Sequence, residues 1–143
     1  MYVCLWTLPQ LFVVNHTPWV TMDAERTDAP LSRLIVDGRD VAAIRVADSG
    51  FARLRGLLGT AAEPGPPFGR ALLLTPGNSV HGWGMRYDLD VAQLDAEFVV
   101  VRAVRLRRGG LVGPRRGVRH VLEAQRGAFE AWGLVAGSHA SVR

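Results

Sequence analysis

Between His81 and Asp95 the chain places an imidazole (His81), an indole (Trp83), a thioether (Met85), a guanidinium (Arg86) and the carboxylates of Asp88, Asp90 and Asp95. Gly82 and Gly84 bend the backbone among them. An imidazole beside carboxylates suits a hard or borderline divalent cation, or general acid–base work. One reading is therefore a metal-assisted hydrolase using His81 with Asp90 or Asp95, with Glu123 as a further carboxylate. Several features weigh against it. Asp90 and Asp95 are an odd number of residues apart, so a regular strand points them to opposite faces. No closely spaced histidine pair supports a metal centre. Ser79 lies near His81, but no Gly-x-Ser-x-Gly elbow presents it as a nucleophile. No catalytic residue, metal or cofactor is assigned, and a role without catalysis is preferred to the hydrolase reading.

The same residues suit binding. An aromatic and a thioether beside polar groups can wall a small-ligand pocket. The expected binding set is His81, Trp83, Met85, Arg86 and Asp90. The alternative is that Trp83 and Met85 fill a core, while Asp90 and Glu123 bond backbone N–H groups or arginines.

A second patch is basic. Arg102, Arg105, Arg107, Arg108, Arg115, Arg116 and Arg119 fall in a stretch, residues 98–122, that holds no acid. Such a hairpin could hold a polyanion, but electrostatic contact alone gives non-specific affinity, and no stacking aromatic interrupts the run. All 17 basic residues are arginine, the formal net charge is +4 and the pI is near 10.5. A GC-rich genome explains that bias without any ligand. The expected partner is a small molecule or another protein, and nucleic acid is not expected. Cys4 is the only cysteine, which excludes an intramolecular disulfide and a cysteine zinc site. Phosphate loops, dinucleotide fingerprints and paired-cysteine motifs are absent.

The elements that must position these groups are short. At 143 residues and 48% hydrophobic composition the chain suits one domain. Residues 1–31 read as an extension outside the domain, which spans 32–143. The apolar run over residues 2–14 is too short to span a bilayer, which takes about 20 residues, and it lacks a basic flank. A cytoplasmic protein with no membrane partner is expected. Leu34–Val36 and Val41–Val46 form a hairpin across Asp37-Gly38. A helix is expected over 51–58, with Phe51, Leu54, Leu57 and Leu58 on one face. Strands follow at 71–74, 89–94, 98–106, 111–112, 118–124 and 140–142. Residues 78–84 are irregular, Asp95-Ala96 is a turn, and 129–134 is a helical turn. The fold class is mainly β: a compact antiparallel barrel-like or sandwich domain with one short α-helix packed on it.

Three segments carry a family likeness: Arg53-Leu54-Arg55-Gly56-Leu57-Leu58, then His81-Gly82-Trp83-Gly84-Met85-Arg86-Tyr87-Asp88-Leu89-Asp90-Val91 with Leu94-Asp95, then Val121-Leu122-Glu123-Ala124 with Gly127. Over residues 34–142 the chain resembles domain-of-unknown-function family 192, small bacterial and archaeal proteins without an established activity. The resemblance implies a compact, mostly β fold with a helix packed on it. In that light Arg55 would pair with Glu123 or Asp90 and lock helix to sheet, and Gly56 would permit their close approach. Asp95 and Glu123 join Arg55 and Gly56 as structural support. An anion-binding role for Arg55 is the competing reading. The chain departs from the family pattern where a cysteine often precedes the histidine (near Gly77), where threonine follows it (Gly82), and where a Gly-Asp pair becomes Gly137-Ser138. Any family chemistry needing that thiol or hydroxyl would be missing here.

Overall fold

A computed structural model of the chain describes residues 32–47, 69–85 and 87–143. Strand β1 (Ser32–Val36) turns into β2 (Arg39–Ala47) through Asp37 and Gly38, at φ +48° and +85°. Two successive positive φ values make the turn whose twist matches paired strands, and glycine takes the second position without steric cost. Asp37 reinforces the turn: its Oδ1 accepts the His139 N–H at 2.8 Å. The hairpin expected from the Asp-Gly pair is therefore present.

The remaining strands are β3 (Arg70–Leu74), β4 (Val80–His81), β5 (Leu89–Leu94), β6 (Val100–Leu106), β7 (Leu111–Val112), β8 (His120–Gln125) and β9 (Ala140–Val142). Seven of them form one sheet in the order β6-β5-β8-β3-β2-β1-β9, while β4 and β7 pair separately. The β2–β3 pair is parallel and the other pairs are antiparallel. The large sheet curls into a half-barrel, so the fold is mainly β as its residues imply. At one end its two edges meet. Val99 bridges His139, and backbone bonds run from Val100 N to Ser138 O, Gly137 N to Val100 O and Ala140 N to Phe98 O at 2.8–3.0 Å.

The central strands are covered on both faces, which explains why Ala71-Leu72-Leu73-Leu74 is an unbroken apolar run. On the inner face Leu34, Val36, Ile44, Leu73, Leu94 and Leu122 pack with the short helix α1 (Ala128–Trp132) through Ala128, Phe129 and Trp132. On the outer face Leu72, Leu74, Leu89, Val91, Leu106 and Val121 pack with Val80 and Val112 of the small sheet.

Several details differ from expectation: the β2–β3 pair is parallel, and β8 starts at His120, not Val118. Strand β6 starts at Val100, not Phe98. The Asp95 carboxylate accepts the N–H groups of Glu97 and Val99, so the chain is still turning at Phe98, where φ is +63°. Val80 and His81 pair with β7 although 78–84 looks irregular, because Val80 and Val112 supply apolar cover for the outer face. The helical turn expected at 129–134 is α1, ended by Gly133 in the left-handed region. The helix expected over 51–58, with Arg55 and Gly56, lies outside the described residues. Among the described residues no helix is long and apolar enough to cross a membrane.

Candidate functional site

Strand β5 organises the site. All six of its residues are buried, and two of them, Asp90 and Gln93, are polar. Asp90 faces inward, and its Oδ2 accepts the N–H groups of Gly127 and Phe129 at 2.9 and 3.1 Å. The first turn of a helix has N–H groups with no partner inside the helix. The residue at the cap position, Gly127, has no side chain to satisfy them, so a carboxylate from the sheet does so. Ala71 and Ala124, consecutive cross-strand neighbours of Asp90, are small enough to let α1 approach. Gln93 faces outward, and its Nε2 donates to the carbonyls of Asn78 and Gly113 at 2.8 and 2.9 Å. Asn78 in turn accepts the Arg115 N–H through Oδ1 at 2.6 Å. One buried amide thus ties together the two segments that carry β4 and β7.

The His81–Asp88 segment wraps the β6–β7 turn. Gly82 donates to Gly110 O and accepts from Gly109 N, both at 2.8 Å. A Cβ at position 82 would lie 2.7 Å from the Arg107 carbonyl oxygen. The turn therefore occupies the space that a threonine side chain would need. Alternation turns Val80 toward the outer core and His81 away from it. The His81 ring stacks on Trp83, with centroids 4.8 Å apart and planes 26° apart. Opposite His81 in the ladder stands Leu111. Trp83 is 61% exposed and Leu111 65%, so this end of the small sheet is an open aromatic and apolar rim, not core. Beneath it the His81 Nδ1 is buried without a hydrogen-bond partner among the described residues. Met85 packs partly against the outer core. Arg86 lies outside the described residues.

The expected binding residues therefore do not converge as one cluster. His81, Trp83 and Met85 lie on the outer side of the large sheet, whereas Asp90 faces inward and is engaged by the α1 backbone. A site shared by His81 and Asp90, and with it the Asp90 form of the hydrolase reading, is not assembled. Asp95 binds its own turn. Glu123 is buried on the outer face, opposite Leu72 and Val91, while the Arg55 that would pair with it lies outside the described residues. Among the described residues no group of three His, Cys, Asp or Glu side chains is placed to hold a metal.

Two features were missed from the residues alone. The first is Gln93, whose signal is a polar side chain inside an otherwise apolar strand. The second is an open cleft of about 440 Å³ lined by Asp88, Arg105, Arg107, Arg108 and Arg126. Only three of its four arginines belong to the basic run.

A family model described as "Uncharacterized ACR" matches residues 32–142. The chain belongs to the DUF192 family. Two solved structures share the DUF192 domain's fold. A protein of unknown function from Novosphingobium aromaticivorans superposes with a TM-score of 0.63 at 14% identity, over 76% of this chain and 83% of its own. A putative transcription regulator from Sinorhizobium meliloti superposes with a TM-score of 0.54 at 18% identity, over 78% of this chain and 91% of its own. No curated protein matches the chain.

Proposed function

We propose that this DUF192 domain is a non-catalytic binding module whose ligand lies on the rim formed by His81, Trp83 and Leu111, with Met85 beneath. The observation that carries this reading is the exposure of Trp83 in a stacked, backbone-anchored position. An indole held by packing and left facing water offers a large contact area at little ordering cost. The Gly82–Gly110 backbone pairing holds the rim rigid before any ligand arrives, which reduces the entropy lost on binding. Asp90 belongs to the scaffold in this reading. A flat, partly polar group is the chemistry that fits, because it can stack on the indole while remaining near the imidazole.

The test is a spectroscopic titration of the full chain with water-soluble planar compounds: a nucleoside, nicotinamide and a flavin. Shifts at the Trp83 indole N–H that saturate, and that disappear in Trp83→Ala while the melting temperature stays within about 2 °C, support the reading. If Trp83→Ala instead melts many degrees lower, the indole is a packing element and the reading fails. It also fails if none of the three compounds moves the indole signal.

A further inference from the structure

We propose that the cleft between Asp88, Arg105, Arg107, Arg108 and Arg126 binds a small anion bearing a phosphoryl group. Three separated segments build it: the approach to β5 (Asp88), the end of β6 with its turn (Arg105, Arg107, Arg108) and the β8–α1 turn (Arg126). Four guanidiniums and one carboxylate give the lining a formal charge of +3. Like charges gathered around one concavity repel each other, and a bound anion relieves that repulsion.

Among the described residues the cleft arginines have no ion-pair partner. Among the described residues the single ion pair within 4.0 Å is Arg33–Asp40, which involves none of them. Asp88, the one acid in the cleft, accepts the Arg108 backbone N–H through Oδ1 at 3.1 Å. It therefore fixes the turn that presents the arginines. Guanidinium forks match the oxygens of a phosphoryl group two at a time. A single carboxylate would satisfy one fork, whereas a phosphoryl dianion has charge and acceptors for several. The cleft volume suits a small molecule. A long polyanion would also engage Arg102, Arg115, Arg116 and Arg119, none of which lines the cleft. The site is separate in its residues from the His81–Trp83 rim and does not depend on it.

The test is calorimetric titration of the full chain with inorganic pyrophosphate at low ionic strength, with citrate and a single-stranded oligonucleotide as further arms. Saturable pyrophosphate binding is expected. Arg105→Gln with Arg126→Gln should weaken it about tenfold or more, as loss of charge-assisted bonds implies. Arg115→Gln with Arg116→Gln should change it less than about twofold, because exposed distant charges are screened. If the first double variant does not fold, Arg126→Gln alone, in an exposed turn, should still weaken binding several-fold. Citrate binding as tightly as pyrophosphate would overturn the phosphoryl assignment. No saturable binding, or equal weakening in both double variants, would overturn the site. Tighter oligonucleotide binding that depends on Arg115 and Arg116 would replace it with a polyanion surface.

Discussion

Asp90 and Gln93 stand on one buried strand and fasten covering segments to opposite faces of the same sheet. Inward, Asp90 is an acceptor and holds the N–H groups at the start of α1. Outward, Gln93 is a donor and holds the carbonyls of Asn78 and Gly113. The choice of side chain follows from what each segment lacks. A helix start has spare donors, which a carboxylate satisfies, whereas a loop with spare carbonyls needs an amide. The inner attachment seats Phe129 and Trp132 in the main core. The outer one steadies a small two-stranded sheet whose far end is the exposed rim. The main core and the rim proposed for binding thus lie on opposite sides of one strand.

That division can be broken by substitution. The largest effect is expected from Asp90→Ala. It strands two backbone donors beneath the helix and should cost roughly 2–4 kcal/mol in urea unfolding. A loss under about 1 kcal/mol would mean that water replaces the carboxylate and that the inner attachment is weak. Gln93→Leu should cost less, about 1–3 kcal/mol, and its signature should be local. Amide exchange should accelerate in β4 and β7 while α1 stays protected. Equal acceleration on both faces would erase the contrast between them. Trp83→Ala should change stability by about 0.5 kcal/mol or less, as is usual for a surface position.

The smallest effect concerns pH. His120 stacks on Phe98, with centroids 4.2 Å apart, and its Nδ1 lies 2.8 Å from Thr75 Oγ1. Burial pushes its pKa below the ordinary 6.5; Asp95 pulls it up and Arg119 pushes it down, both more weakly. The unfolded chain therefore binds the proton more readily. The contribution is fully present above about pH 6.5 and is lost as pH falls through the folded value. Urea midpoints measured from pH 7.5 to 5 should decline, and His120→Gln should flatten part of that slope. An unchanged slope in the variant would assign the decline to other groups.

Local chemistry made the hairpin and the central strands legible. Asp37-Gly38 names its own turn, and the apolar runs name strands covered on both faces. The site was harder to see because its decisive contacts are distant in sequence. Asp90 meets Gly127 across 37 residues, and periodicity carries no information about such a pairing. It does place Asp90 and Val91 on opposite faces; His81 ends on the other side from Asp90 because β4 belongs to the small sheet that covers the outer face. The Arg126 contribution to the cleft depends likewise on β5 and β8 being neighbours, a fact of topology. Within its short strand Leu111 carries no signal of its own; its register opposite His81 puts it on the rim.

The seam between β6 and β9 has a further consequence. Among the described residues it joins the two edges only around Val99 and His139, and beyond it no described strand pairs with the outer side of β6. Open edges of this kind invite chains to stack on one another and aggregate. Arg102 and Arg105 stand exposed along that edge, and charge there makes a second copy an unfavourable neighbour. Arg105, which also lines the proposed phosphoryl cleft, thus helps keep the chain dispersed. Neutralising this edge charge should raise the tendency to aggregate.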